Sequence, residues 1–192
     1  MRDIATTDAD RFLALLQPIE RDLETYARRL IWEPADAPDA LQNAVMRGFA
    51  AFDRYHEDAS FRAWMFKILT REAFALNRKH ARIAKYEFQL EPEDLANLPF
   101  GLSLEASFER QLSPAELDDR LDEHLAAGLK TLTESERAVL LLRAVGELRY
   151  REISESLEIP MGSVMGHLAR ARQKMRALLA RAARRAENSK ET

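Results

Sequence analysis

Residues 133–185 read TESERAVLLLRAVGELRYREISESLEIPMGSVMGHLARARQKMRALLARAARR, and this stretch decides the fold. Three helical patterns follow one another, and only residues 158–162 separate the second from the third. A short helix, a tight turn and a long helix make up a helix-turn-helix, whose second helix enters the major groove of DNA. The stretch therefore predicts a DNA-reading unit at the C-terminal end of the chain.

The long last helix carries charge of one sign. Residues 163–185 contain no Asp or Glu, and their basic residues are Arg170, Arg172, Lys174, Arg176, Arg181, Arg184 and Arg185. A solvated surface helix usually mixes both signs, because opposite charges three or four positions apart stabilise it. We therefore favour contact with the phosphates of DNA over a merely solvated face.

The composition predicts an all-α fold. The 192 residues include only six glycines, and 46% of the chain is hydrophobic. The absence of cysteine excludes disulfides and Cys-based zinc sites. The four histidines lack ligand spacing and no catalytic constellation is present, so we expect no metal, no cofactor and no enzyme activity. No apolar run is long enough to cross a membrane and the start does not resemble a signal peptide, so we expect a cytoplasmic protein without membrane insertion.

Charge is segregated along the chain, although the net charge is only −3. Residues 61–86 are basic, residues 87–122 are acidic, and the last helix is basic again. Helical periodicity fails from residue 87 to 112, where Pro92, Pro99 and Gly101 interrupt it. These shifts predict two small helical domains, 1–86 and 113–192, joined by an acidic linker at 87–112.

Capping patterns predict where the helices begin. The first helix should reach about Ile31, with a kink or a later start at Pro18. The predicted caps are Thr7, Asp36, Asp58 or Ser60, Ser113, Thr133 and Ser163.

Two groups of motifs resemble the extracytoplasmic-function (ECF) sigma factors, the smallest members of the sigma-70 family of bacterial RNA polymerase. One group is DAPDALQNAV at 36–45 with FRAWMFKIL at 61–69. The other is LTESERAVLLLR at 132–143, YREISESLEIPMGSV at 150–164 and LARAR at 168–172. The resemblance implies a promoter-specificity subunit whose first domain binds core RNA polymerase and the −10 element. The second domain would bind the −35 element.

The resemblance also implies which residues bind each partner. Core polymerase would contact Asp36, Asp39, Gln42 and Asn43. The −10 element would contact Tyr55, His56, Asp58, Ser60, Lys67, Arg71 and Arg78. The −35 element would contact Ser163, Met165, Gly166, His167, Arg170, Arg172 and Lys174. An anti-sigma factor or another protein regulator is a further expected partner.

Two residues of the helix-turn-helix are unusual for that family. Glu158 occupies the turn position where glycine is usual, which predicts local backbone strain. Gly166 lies inside the long helix, where glycine costs about 0.5–1 kcal/mol relative to alanine. Sequence drift and close approach to DNA explain Gly166 about equally well.

Three other functions remain open from the sequence. A stand-alone helix-turn-helix regulator would not bind polymerase, but it would need an effector or dimerisation domain at residues 36–80. A helical enzyme acting on nucleic acid would need metal-ligand spacing that is missing. A sigma-like decoy would bind DNA or a regulatory partner without productive polymerase binding.

Overall fold

The computed structural model describes residues 7–56, 60–88 and 124–188. Every regular element within these ranges is an α-helix or a short 3-10 helix. The predicted all-α fold is therefore confirmed for the described part of the chain. The described helices fall into two groups, residues 7–88 and residues 124–188.

The first group opens with helices α1 (Asp8–Leu16) and α2 (Glu20–Leu30). Thr7 caps α1 as predicted, because its hydroxyl accepts from the Asp10 amide at 3.2 Å while the Asp10 carboxylate accepts from the Thr7 amide at 3.0 Å. A 3-10 turn at Gln17–Ile19 contains Pro18 and separates the two helices. The interruption at Pro18 is therefore confirmed, since proline lacks the amide that a continuous helix needs.

Helices α3 (Ala37–Ala50) and α4 (Phe61–Phe88) complete the first group. Asp36 occupies the N-cap position of α3, as predicted, but its side chain makes no capping hydrogen bond and its Oδ2 instead lies 2.6 Å from His80 Nε2 on α4. Ser60 does cap α4, since its hydroxyl accepts from the Ala63 amide at 3.2 Å. The alternative cap, Asp58, lies outside the described residues.

The second group contains α5 (helical over residues 124–130), α6 (Glu134–Ala144), α7 (Tyr150–Leu157) and α8 (Met161–Asn188). The predicted cap at Ser163 is wrong, because α8 already begins at Met161 and the Ser163 amide donates to the Pro160 carbonyl at 2.9 Å. A proline just before a helix needs no hydrogen bond for its nitrogen, so the helix starts there instead.

Buried apolar side chains of both groups form one continuous cluster. In the first group of helices, the Phe12 ring lies 5.3–5.6 Å from the rings of Phe49, Phe52 and Phe61.

The part of the predicted linker that follows Phe88 lies outside the described residues, and so does the helix start predicted at Ser113. The division into domains at 1–86, 87–112 and 113–192 therefore stays a prediction.

Buried polar groups fix how α4 packs. The Tyr26 hydroxyl lies 2.7 Å from the Thr70 hydroxyl, and burial raises the pKa of Tyr26 above its ordinary value. About two turns further along, the fully buried Asn77 accepts from the Trp32 amide at 3.0 Å and donates to Glu134 Oε1 at 2.9 Å. Because buried polar groups are costly unless they are paired, these bonds specify the position of α4 against both α2 and α6.

Candidate nucleic-acid and polymerase interface

Helix α3 presents one exposed face that combines polar and apolar side chains. Asp39, Gln42 and Asn43 are exposed, and Met46 and Phe49 follow at helical spacing with 63% and 46% of their surfaces accessible. The structure therefore brings three of the four predicted polymerase-binding residues onto one surface. Asp36 lies apart from that face, because it pairs with His80. Exposed methionine and phenylalanine beside polar groups are typical of a protein-binding surface.

An aromatic cluster lies where the chain enters α4. The Tyr55 ring lies 5.4 Å from the rings of Phe61 and Trp64, and it stacks on Phe52 at 5.7 Å. Tyr55 is half-buried, whereas His56 and Ser60 are exposed. Trp64 packs against the core.

The basic side chains of α4 contact the second group of helices. Arg62 Nε and Nη2 donate to the carbonyls of Gly146 and Val145 at 2.6 and 2.8 Å, just past the end of α6. Lys67 Nζ donates to the Glu155 carbonyl at 3.0 Å, in the last turn of α7. Cations at these places are favourable, because the last carbonyls of a helix lack partners and carry partial negative charge.

Two of the predicted −10 residues also meet the turn of the helix-turn-helix. Arg71 Nη2 forms an ion pair with Glu158 Oε1, and Lys67 Nζ lies 3.7 Å from the same oxygen. These two cations lower the pKa of Glu158 below its ordinary value. Arg78, further along α4, is exposed. The predicted −10 residues on α4 are thus divided between Lys67 and Arg71, which pair with Glu158, and Arg78, which lies further along the helix.

The turn between α7 and α8 is strained, as predicted. Glu158 has φ 57° and ψ 40°, a left-handed conformation that glycine adopts far more readily than glutamate. Two hydrogen bonds close the turn. The Ile159 amide donates to the Ser154 carbonyl at 3.2 Å, and the Ser154 hydroxyl donates to the Ile159 carbonyl at 2.6 Å. These bonds set the angle at which α8 leaves α7.

Helix α8 divides the predicted −35 residues between two sides. Met165, with 49% of its surface accessible, and Arg172 lie seven positions apart and are both exposed. A Cβ added at Gly166 would approach nothing closer than the Arg170 guanidinium at 3.4 Å, so packing does not require glycine there. Ser163 and His167 are half-buried, and His167 Nδ1 lies 3.0 Å from Arg170 Nη2.

Arg170 and Lys174 lie on the side of α8 that faces α6. Arg170 Nε donates to Glu136 Oε1 at 3.2 Å, and Lys174 Nζ donates to Glu136 Oε2 at 2.7 Å. Glu136 is only 3% exposed. Burial alone would raise the pKa of Glu136, but hydrogen bonds from Lys174, the Thr133 amide and Arg170 outweigh it and lower that pKa. These two basic residues therefore hold α8 onto α6.

Sequence reasoning missed two polar residues that organise these surfaces. Glu136 lies three positions after the predicted cap Thr133 and accepts from the Thr133 amide at 3.1 Å, as the partner residue of a capping box does. Asn77 was not singled out, although it follows the buried Ala73 by four positions on α4. A polar residue on the apolar side of a helix is a signal that could have identified Asn77.

Comparisons with known families match both halves of the chain. Residues 15–83 match the family described as Sigma-70 region 2, and residues 124–175 match Sigma-70, region 4. Together the two matches cover more than half of the chain, in the order that the sequence motifs predict.

Curated relatives carry the same assignment. The ECF RNA polymerase sigma factor SigE of Mycolicibacterium smegmatis is 29% identical over 157 residues, which are 81% of this chain and 56% of that relative. The ECF RNA polymerase sigma-E factor of Escherichia coli K12 is 25% identical over 145 residues, 72% of this chain and 71% of that relative. The chain thus spans little more than half the length of the mycobacterial relative.

Two solved structures share the fold. The sigma factor RpoE, in complex with the anti-sigma factor NepR from Bartonella quintana, aligns with a TM-score of 0.68 at 19% identity, covering 88% of this chain and 97% of that chain. CnrH, in complex with the cytosolic domain of CnrY, aligns with a TM-score of 0.62 at 24% identity, covering 90% of this chain and 89% of that chain.

The two matched regions and the helix-turn-helix define a class of protein, the promoter-recognition sigma subunits of bacterial RNA polymerase. Within that class, the chain belongs to the extracytoplasmic-function group of the sigma-70 family. Proteins of this class regulate transcription and are not themselves enzymes. Among the described residues, no helix is both long and apolar enough to span a bilayer.

Proposed function

We propose that this chain binds core RNA polymerase through the exposed face of α3 and directs it to promoters by contacting the −10 and −35 elements. The proposal is supported by the presence of two surfaces in one chain. One is the exposed face of α3, which has both polar and apolar side chains, and the other is the exposed basic helix of a helix-turn-helix. A stand-alone regulator would need only the second of these surfaces. We assign the chain no catalytic role of its own.

The polymerase-binding surface would consist of Asp39, Gln42, Asn43 and Met46 on α3. Their side chains are exposed on one side of a helix whose opposite side, at Ala40 and Ala44, is fully buried. The fold therefore holds this face rigidly without using its side chains. A rigid, exposed surface binds with little loss of conformational entropy, which favours a stable complex.

The −10 element would contact the aromatic cluster at the start of α4 and the basic residues along it. Opening a duplex exposes unstacked bases, and reading one requires extraction at a cost of a few kcal/mol. Tyr55 stands beside the rings of Phe61 and Trp64, and aromatic rings of this kind can stack on a base. Lys67, Arg71 and Arg78 would neutralise the phosphates of the same strand.

The −35 element would contact the exposed side of α8. The first turns of a recognition helix face base edges, and later residues follow the backbone. Met165 can make only apolar contacts, for which a thymine methyl is the complementary group. Arg172 would bind phosphate. Gly166 would let the DNA approach the helix closely, since no internal contact explains the glycine.

Two further assignments rest on the relatives rather than on geometry. Both solved structures are complexes, one with an anti-sigma factor and one with a cytosolic domain. We propose that an anti-sigma factor regulates this chain as well. Because core polymerase and chromosomal promoters would be its partners, we also propose that the chain acts in the cytoplasm.

Reversing the charge of Asp39 tests the polymerase-binding face. The Asp39→Arg variant should bind purified core RNA polymerase at least tenfold more weakly, because it places the wrong charge in the centre of the interface. Binding is measured by competition against the labelled parent protein. Glu24→Arg on α2 is the control, since Glu24 is exposed but lies outside the proposed face. Equal binding by the Asp39 variant and the parent would remove α3 from the interface.

A further inference from the structure

His167 on α8 lies at the end of a row of polar contacts that begins at a buried carboxylate. Glu136 on α6 is buried, and its Oε1 accepts from Arg170 Nε at 3.2 Å. Lys174 Nζ donates to the second oxygen of the same carboxylate at 2.7 Å, so the Glu136 side chain is fixed from both sides. The Arg170 guanidinium in turn lies against the His167 ring, with 3.0 Å between Arg170 Nη2 and His167 Nδ1.

The contact with Arg170 decides which nitrogen of His167 carries the proton. A guanidinium has only donors and no acceptor, so His167 Nδ1 must accept in this contact. A histidine whose Nδ1 accepts is the neutral ring with its proton on Nε2. Within the described part of the chain, His167 Nε2 has no hydrogen-bond partner. His167 therefore offers one N–H donor of fixed orientation to a partner outside the chain.

His167 lies on the opposite flank of α8 from Met165. The two residues are two positions apart, which separates them by roughly 200° around a helix. Arg172 shares the flank of Met165, whereas His167 contacts Arg170 on the flank towards α6. The major groove of DNA is about 12 Å wide, so a helix inside it approaches both walls. Both flanks of α8 can therefore contact the same duplex, one at each wall of the groove.

We propose that His167 donates from Nε2 to a hydrogen-bond acceptor of the −35 DNA, and that Arg170, held by Glu136, is the positioning residue that keeps the proton on that nitrogen. The inference rests on the proposed function, because it needs α8 to bind the −35 element. The acceptor is a phosphate oxygen or a purine N7, which are both acceptors at the groove surface. A neutral donor releases no counterion, so His167 fixes the register of the helix while Arg172 supplies the salt-dependent affinity.

Two substitutions of His167 separate the roles of its nitrogens. The amide nitrogen of glutamine lies close to the position of Nε2, whereas that of asparagine lies close to the position of Nδ1. On a duplex that the parent chain selects from a randomised library, His167→Asn should bind on the order of fivefold more weakly than the parent. His167→Gln should recover most of that loss. Both variants should keep the parent's salt dependence, because neither changes the charge. Denaturant unfolding checks that both remain folded.

Modified duplexes identify the acceptor. A 7-deazapurine removes the purine N7, and a methylphosphonate removes a charged phosphate oxygen, one position at a time. At one position the modification should weaken the parent on the order of fivefold more than it weakens His167→Asn, because that variant has already lost the bond. The kind of modification then distinguishes base from backbone. If no position shows this dependence on His167, the ring does not bind DNA and the proposal is wrong.

Nitrogen NMR of the full chain with isotope-labelled histidine tests the role of Arg170. At about pH 8, where an ordinary histidine is neutral, the ring nitrogen without a proton resonates well apart from the N–H nitrogen. His167 of the parent should carry its proton on Nε2 alone, and Arg170→Met should give a mixture of the two tautomers. Arg176→Met is the matched control, because this exposed residue of α8 lies about 13 Å along the helix from His167 and should leave the His167 signals unchanged.

The remaining outcomes are equally decisive. A proton on Nδ1 in the parent, or an unchanged tautomer in Arg170→Met, would overturn the positioning role of Arg170. Equal affinity of His167→Gln and His167→Asn would overturn donation from Nε2. These measurements need no polymerase, so a failure of promoter-dependent transcription would leave them intact. If the parent selected no duplex at all, the proposed −35 contact would fail and this inference would fail with it.

Discussion

At the scale of single residues, Glu136 shows how one side chain can serve two structural roles. It closes the capping box of α6 and accepts hydrogen bonds from Arg170 and Lys174 on α8. The capping role could be predicted, because Thr133 and Glu136 are three positions apart. The second role could not, since its partners lie 34 and 38 positions further along the chain.

Replacing Glu136 by glutamine should destabilise the fold in a pH-dependent way. The Glu136→Gln variant should lose about 1–3 kcal/mol at neutral pH, because it leaves two cations without their charged acceptor. The folded-state pKa of Glu136 is lowered, so its contribution is complete above the unfolded value of about 4.3 and disappears as the pH falls through the folded value. The difference in unfolding free energy between the variant and the parent should therefore disappear at acidic pH.

Denaturant unfolding at neutral and acidic pH measures this effect. Glu155→Gln is the control, because the exposed Glu155 side chain pairs with the exposed Arg151, and it should change the unfolding free energy by less than about 0.5 kcal/mol. If the difference in unfolding free energy between the Glu136 variant and the parent stayed constant across the pH range, the carboxylate charge would not be what holds α8 to α6.

At the scale of elements, the sequence predicted the helices better than it predicted their ends and faces. The break at Pro18 and the separation of α7 from α8 were identified from periodicity and from residues that interrupt helices. The Ser163 cap was wrong because Pro160 already starts the helix. The sequence placed Arg170, Arg172 and Lys174 together as −35 residues because all three are basic. Charge does not show which side of a helix faces a neighbouring helix, and in the structure Arg170 and Lys174 pair with Glu136 on α6.

The two sides of α8 should respond differently to mutation. Arg172→Ala should leave stability unchanged but weaken binding to all −35 duplexes and reduce the dependence of affinity on salt by about one ion, because Arg172 is exposed. Lys174→Ala should instead lower stability, because Lys174 pairs with the buried Glu136. Duplex titrations of the full chain at several salt concentrations, combined with denaturant unfolding, separate the two effects.

That comparison also tests the orientation of the recognition helix. If Lys174→Ala reduced the salt dependence and Arg172→Ala did not, the side of α8 that faces α6 would be the one that binds DNA. The α6–α8 packing described above would then have to change when DNA binds.

At the scale of the whole molecule, the packing of the two halves was beyond sequence reasoning. The basic block at residues 61–86 was visible, but its acceptors include backbone carbonyls at Val145, Gly146 and Glu155. Backbone carbonyls are present in every residue, so neither the composition nor the charge pattern indicates which of them will accept a hydrogen bond. The sequence predicted that Glu158 strains the turn, but it did not show that the Glu158 carboxylate pairs with Lys67 and Arg71.

In-vitro transcription tests the central claim most directly. Purified chain is mixed with core RNA polymerase and a library of promoter-length DNA fragments, and the transcripts are sequenced. We expect transcripts that start downstream of a common pair of −35 and −10 sequences, and we expect Asp39→Arg to abolish them. Tight binding of the chain to DNA or to polymerase with no promoter-dependent transcript would contradict the account and favour a sigma-like decoy.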